Sequence, residues 1–258
     1  MNEREQLVDI SRRLHAKGWV ANHDGNVSAR SGSHFLCTPT ATSKAAVAAT
    51  NLLVVDDKGQ RVSGTAKPFG EIGLHLTVYR NRADVNAVVH AHPPCATALA
   101  CAGSRLLEKP FIAEAVVSLG PTIPSVPFAV PGPAACEALA PFALAHDTVL
   151  LANHGVLAWG ANLEQAYLRL ELVEHLARIA LQAEKIGGVR ALPDAVLPAL
   201  LEARRKAGLG LAASAAAPKA VVACAPAPHA TVLTIAPGDH APDLAAIIRE
   251  ELTRALRR

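Results

Sequence analysis

Aromatic side chains are scarce in this 258-residue chain: two Trp, two Tyr and five Phe, with a single Met. A core must therefore be assembled largely from Ala, Val and Leu. The 51% hydrophobic content allows that and excludes a wholly disordered chain. Charge is sparse too, at 18% of residues, with a formal net charge of +3 and a pI near 8.7. No run of Lys and Arg is interleaved with aromatics, so a nucleic-acid surface is not expected. The five cysteines, Cys37, Cys95, Cys101, Cys136 and Cys224, are odd in number and form no Cys-x-x-Cys pair. That argues against a disulfide framework and for a reducing cytosol. No apolar run approaches a membrane span, and the charged start Met1-Asn2-Glu3-Arg4-Glu5 does not read as a signal peptide. The expectation is a soluble cytoplasmic protein with no membrane partner, built as one large domain or as one domain plus an appendage.

Alternating signals set the fold class. Leu7, Ile10 and Leu14 recur at helical spacing, predicting a helix over 3–17 that ends before Gly18. Leu52-Leu53-Val54-Val55 reads as a strand entering the turn Asp56-Asp57-Lys58-Gly59. Residues 70–81 read as a helix, and Val85 to His92 as a short strand broken by Pro93-Pro94, which open a helix over 96–101. Two strands, 149–152 and 156–159, flank an Asn153-His154-Gly155 turn. A long helix follows from Leu163 to Ile186, stopped by Gly187-Gly188, and Pro193 opens another that ends near Gly208. This is an α/β or α+β domain of residues 1–211. Residues 212–230 hold ten Ala and three Pro in nineteen positions, the composition of a linker over 212–240. A short amphipathic helix is expected over 241–258.

His90-Ala91-His92 is the strongest chemical signal. On a strand, residues i and i+2 face the same way, so both imidazoles can reach one metal ion. Surface or packing histidines are the alternative reading. His154, in a turn between two apolar strands, needs a partner if buried. Glu71 follows Pro68-Phe69-Gly70 at a helix start, where a carboxylate gains from the helix dipole. Three His and one Glu suit Zn²⁺, with the carboxylate exchangeable for substrate.

Six segments occur in one order: Gly25-Asn26-Val27-Ser28-Ala29-Arg30; Thr38-Pro39-Thr40; Lys67-Pro68-Phe69-Gly70-Glu71 with His75; Tyr79-Arg80-x-Arg82-x-Asp84-Val85; Val88-Val89-His90-Ala91-His92; and Asn153-His154-Gly155. Together they resemble the class II aldolase/adducin family over residues 3–186, most closely its fuculose-phosphate aldolase branch. The resemblance implies a three-layer α/β/α fold with a mostly antiparallel central sheet. It makes His90, His92 and His154 zinc ligands, with Glu71 as catalytic acid/base and fourth ligand. It also implies a homotetramer with sites between subunits, cleaving a deoxyketose 1-phosphate such as L-fuculose 1-phosphate to dihydroxyacetone phosphate and lactaldehyde. The substrate phosphate would sit on Gly25, Asn26, Thr40, Ala41, Phe69 and Gly70.

Two departures from the family pattern stand out. Ala41 and Phe69-Gly70 replace a Gly and a hydroxyl pair, leaving Thr42, Ser43 or Lys44 to compensate, or pointing to another phosphate position or a non-phosphorylated substrate. The family tyrosine from the neighbouring subunit falls at Phe111-Ile112-Ala113-Glu114, where no tyrosine stands; Glu114 is a candidate replacement. Tyr79 and Tyr167 read as packing residues. A related lyase or decarboxylase is the alternative. An epimerase is disfavoured because that branch carries Asp at the position of Glu71. A non-catalytic adducin-like role is disfavoured because all three histidines are present. In the tail, Leu244, Ile247, Ile248, Leu252, Ala255 and Leu256 form one apolar stripe. The tail resembles the encapsulation peptides of bacterial microcompartment cargo, which implies a shell-protein partner for residues 243–258.

Overall fold

The computed structural model describes residues 1–210, so the linker over 212–240 and the helix over 241–258 lie outside the described residues. Eight strands form one sheet: β1 (Asn26–Ser31), β2 (His34–Cys37), β3 (Leu53–Val55), β4 (Arg61–Ser63), β5 (Ala87–Ala91), β6 (Ser125–Val126), β7 (Thr148–Leu151) and β8 (Gly155–Gly160). Their order is β4-β3-β2-β1-β5-β8-β7-β6, and every pairing is antiparallel except β6 with β7. The expected mostly antiparallel α/β architecture is present.

Alternation along the strands builds the layers. In β5, Ala87, Val89 and Ala91 enter one apolar cluster while Val88 enters another; in β8, Val156 and Ala158 oppose Leu157 and Trp159 in the same way. One face is covered by α1 (Glu3–Ala16), α3 (Pro94–Cys101) and α6 (Leu163–Glu184), which bury Leu7, Leu14, Leu99, Leu170 and Val173. The other is covered by α2 (Ile72–Asn81) and α5 (Pro133–Ala145), through Leu76, Val78, Leu139 and Ala143. α4 (Ala113–Leu119) and α7 (Leu197–Lys206) complete the described elements and pack on each other. No helix among the described residues is long and apolar enough to cross a membrane.

The sheet has two chemically different ends. At one end, the last residues of β5 and β7 and the first of β1 and β8 converge. At the other, Asp147, wholly buried before β7, receives Arg82 and Arg169 at 2.9 Å each, together with Arg204 of α7. Arg82 also forks onto Asp84 at 2.8 Å through two nitrogens. Arg169 donates to the Trp159 carbonyl at 2.6 Å, and Arg204 to the Val117 and Ser118 carbonyls at 2.9 and 2.6 Å. Buried charge is tolerated when each guanidinium is paired and hydrogen-bonded in this way.

Candidate metal centre and active site

The histidine pair lies where β5 ends. His90 is buried, and its Nδ1–H donates to the Val156 carbonyl at 2.9 Å across the β5–β8 pairing. That bond fixes the tautomer and leaves the Nε2 lone pair for a metal. His92 follows on the same side, with its Nε2 3.1 Å from Nε2 of His90. The β7–β8 turn supplies His154. Asn153 there adopts φ +56°, a left-handed conformation that Asn tolerates. Gly155 closes the turn against β5: a Cβ on it would lie 2.6 Å from both the Ala91 carbonyl oxygen and His92 Cδ2. Gly25 does the same for β1, at φ +70°, where a Cβ would stand 2.9 Å from the His90 carbonyl oxygen. The three imidazoles thus converge, one nitrogen from each lying within 4.8 Å of the others.

Glu71 sits at the N-cap of α2, at the helix start as the sequence suggests, and its side chain makes no capping hydrogen bond. Instead Oε2 accepts from Asn26 Nδ2 at 2.7 Å, and Oε1 lies 2.9 Å from His154 Nε2 and Oε2 3.5 Å from His90 Nε2. Burial pushes the Glu71 pKa up, but His90, His154 and Asn26 outweigh it and hold the carboxylate well below its usual range. Burial lowers His90 to about 4 and also lowers His92, while the Glu71 hydrogen bond raises His154. Three imidazoles beside a carboxylate are the donor set that a divalent transition metal takes, with Glu71 as fourth ligand or proton carrier. The residues therefore fit a metal ion.

The structure brings Asn26, Glu71, His90, His92 and His154 together. The remaining phosphate candidates are placed differently. Thr40 and Ala41 are tied to the segment before Glu71, with the Thr40 N–H donating to the Lys67 carbonyl at 3.1 Å and Pro39 bridging Pro68. Ala41 is left-handed at φ +50°. Phe69 is buried with its ring edge against His75, so it offers a ligand no polar side chain, and Gly70 faces open space. Of the residues expected to compensate, Thr42 donates to the Thr40 carbonyl and Ser43 accepts from the Ala45 N–H. Lys44 is buried and donates to the His23 and Thr42 carbonyls at 3.2 and 2.7 Å. Tyr79 and Tyr167 are packing residues, stacked on Phe35 and Trp19 respectively. Glu114 is exposed in the first turn of α4.

Sequence reasoning missed the layer behind the site. Ser28 of β1 is buried between His75 Nδ1 at 2.7 Å and the Tyr79 hydroxyl at 2.8 Å, so a polar network supports the wall from which Glu71 projects. Asp24 stands 3.8 Å from His92 Nδ1. Two clefts meet at Glu71 and His154. One runs along α2 between it and α5; the other is bounded by Val126–Pro131 and the Leu151–His154 turn, with Phe128 67% exposed on its rim.

Residues 5–181 match the family described as "Class II Aldolase and Adducin N-terminal domain". A 5-deoxy-D-ribulose 1-phosphate aldolase of Bacillus thuringiensis is 29% identical over 199 residues, 74% of this chain and 90% of that protein. A 3-oxo-tetronate 4-phosphate decarboxylase of Pectobacterium atrosepticum is 33% identical over 181 residues, 68% of this chain and 82% of that one. A solved structure of L-fuculose 1-phosphate aldolase superposes with a TM-score of 0.72 at 27% identity, over 78% of this chain and 94% of that one.

Proposed function

The chain belongs to the class II aldolase and adducin family, and from that premise we propose that it is a zinc-dependent lyase breaking a carbon–carbon bond beside the ketone of a phosphorylated sugar derivative. The observation that carries this reading is the convergence of His90, His92 and His154 on the carboxylate of Glu71. A divalent ion held by the three histidines supplies Lewis acidity toward a substrate oxygen. Every other role falls to the chain itself. Glu71, ionised and held by Asn26 at 2.7 Å, takes or returns the proton at the carbon next to the carbonyl. The Val156 carbonyl keeps the His90 ring in register. The substrate assigned first is a deoxyketose 1-phosphate such as L-fuculose 1-phosphate, giving dihydroxyacetone phosphate and lactaldehyde.

One observation favours decarboxylation as the second reading. Retro-aldol cleavage must remove a proton from a hydroxyl, whereas loss of CO₂ needs only reprotonation of carbon. Both tyrosines of the chain are packed away from the site. The 33%-identical relative is a decarboxylase. A single assay separates the two: release of dihydroxyacetone phosphate from fuculose and rhamnulose 1-phosphates against release of CO₂ from 3-oxo-tetronate 4-phosphate, each with and without chelator. Activity insensitive to chelator, together with full zinc occupancy in His92→Ala, would overturn the metal assignment.

Quaternary and cellular roles belong to the same proposal. The enzyme acts as a cytoplasmic homotetramer, which light scattering tests. Residues 243–258 target it to a bacterial microcompartment through a shell protein, retaining the aldehyde product inside. The apolar stripe from Leu244 to Leu256 supports this, since burying each Leu or Ile contributes about 1.5–3 kcal/mol. A fluorescent protein carrying residues 212–258 that stays diffuse beside assembled shells rejects the targeting.

A further inference from the structure

Of the two clefts that meet at Glu71 and His154, the one along α2 ends in positive charge. Its walls are apolar, formed by Ile72, Leu76, Pro131, Pro133 and Ala135, and its distal end is lined by Lys58 and Arg80. Nine residues of helix separate Glu71 from Arg80, a span of roughly 13 Å at 1.5 Å per residue.

Local structure fixes the two cations. Lys58 lies in the β3–β4 turn, where Asp56 Oδ1 accepts from the Lys58 and Gln60 N–H groups at 2.9 and 2.8 Å. Gly59, at φ +77°, lets this turn press on α2, since a Cβ there would already stand 3.2 Å from Ile72 Cγ2. Arg80 Nη2 donates to the Asp57 carbonyl, joining turn to helix. The Asp56 carboxylate is thus engaged by backbone, and the Asp57 carboxylate pairs with neither cation. Among the described residues, neither Lys58 nor Arg80 has a carboxylate within ion-pair distance. Arg80 Nη1 is shielded from solvent without a hydrogen-bond partner. Such a donor is costly to leave unmade, and its presence in a binding cleft calls for an acceptor. At the corner expected for the phosphate, by contrast, Ala41, Phe69 and Gly70 carry no side-chain donor, which leaves Thr40 and Asn26, and Asn26 already donates to Glu71.

We propose that the α2 cleft is the substrate's anion arm, holding a phosphate or carboxylate at its Lys58/Arg80 end while the carbon chain reaches back to Glu71 and the histidines. The assignment rests on the lyase reading for the identity of that chain. With Nη2 already given to the Asp57 carbonyl, Arg80 offers its remaining guanidinium nitrogen and Lys58 a point charge, and both suit a phosphoryl or carboxylate oxygen. The apolar walls between exclude water from the carbon chain.

Calorimetric titration of the zinc-loaded full-length protein with inorganic phosphate, and separately with acetate, tests the arm without turnover. Wild type should bind, and Lys58→Ala and Arg80→Gln should each weaken binding about tenfold or more, as expected for a charge-assisted hydrogen bond. Thr40→Ala should leave it unchanged. Lys58 is exposed on a turn, so its variant remains informative if Arg80→Gln folds poorly. The tighter of the two probes identifies the anion. Absence of binding by wild type, binding unaffected by both cation variants, or binding lost in Thr40→Ala overturns the proposal. The lyase reading fails separately, by absence of cleavage products from enzyme that still binds the probe. Where cleavage is measurable, Lys58→Ala should raise KM about tenfold with kcat held; an unchanged KM defeats the arm alone.

Discussion

Replacing Asp147 by Asn keeps its shape and deletes one charge from the most heavily ionic part of the interior. Asp147 is fully buried and meets Arg82, Arg169 and Arg204. Arg82 would retain Asp84, and Arg204 would retain two carbonyls, but Arg169 would keep only the Trp159 carbonyl. The loss therefore falls on two guanidinium groups left without a counter-charge. Removing one partner of a buried ion pair costs about 3–5 kcal/mol. At roughly 2–4 °C per kcal/mol for a domain of this size, the melting temperature should fall by about 10 °C. Calorimetry of the full-length protein, with a parallel urea titration, measures both quantities. Arg204→Met should cost less in the Asp147→Asn background than alone, because the two groups share one interaction. Metal content and turnover at low temperature should be unchanged, since the network lies at the end of the sheet away from the histidines. A drop below about 2 °C would refute the reasoning, because it would mean that the arginines satisfy themselves without the carboxylate.

Three further outcomes are expected. Glu71→Gln should keep the fold and the metal yet lose about 10²–10⁴ in turnover, measured in the cleavage assay; near wild-type rates would assign the proton to another group. Gly155→Ala forces a Cβ into the Ala91 carbonyl and the His92 ring, so affinity for a divalent metal should drop by at least about tenfold in a competitive chelator titration. Burial lowers Lys44 to about 8, with Asp24 opposing, so the unfolded chain binds more protons between about pH 8 and its ordinary lysine value. Stability should accordingly rise as pH climbs through that window, and Lys44→Met should flatten the rise in chemical denaturation at about pH 7.5 and about pH 10.

The sheet's centre and the three converging histidines are legible in the sequence because local signals agree. Val85 to His92 is β-branched and ends at two prolines, and the Asn153-His154-Gly155 turn lies between apolar strands; both stand in the structure as β5 and the β7–β8 turn. β1 carries no such signal. One face carries Val27 and Ala29 into the apolar core, and the other carries Asn26 and Ser28, whose burial depends on Glu71, His75 and Tyr79, far away in sequence. α5 carries Pro141 in its interior, a breaker that packing against α2 overrides. The Asp147 network is invisible for the same reason as Ser28: its members are Arg82, Asp84, Asp147, Arg169 and Arg204, and no local spacing links them. Glu71 is found by motif, but a helix dipole is an incomplete reason for it, because its carboxylate binds Asn26 and faces the histidines instead.

Arg204 has a consequence for anything joined to the enzyme. It pins α7 to the Asp147 end of the sheet, and Leu209 folds back to donate its N–H to the Arg204 carbonyl. β8 runs six residues from the Gly155 end to that end, about 20 Å at 3.3 Å per residue. Gly210, set against the Arg204 guanidinium, therefore lies at the Asp147 end of the sheet, away from Glu71 and His154. A fusion partner joined directly after residue 210 is thus attached at the end of the sheet opposite the opening and should leave substrate entry free.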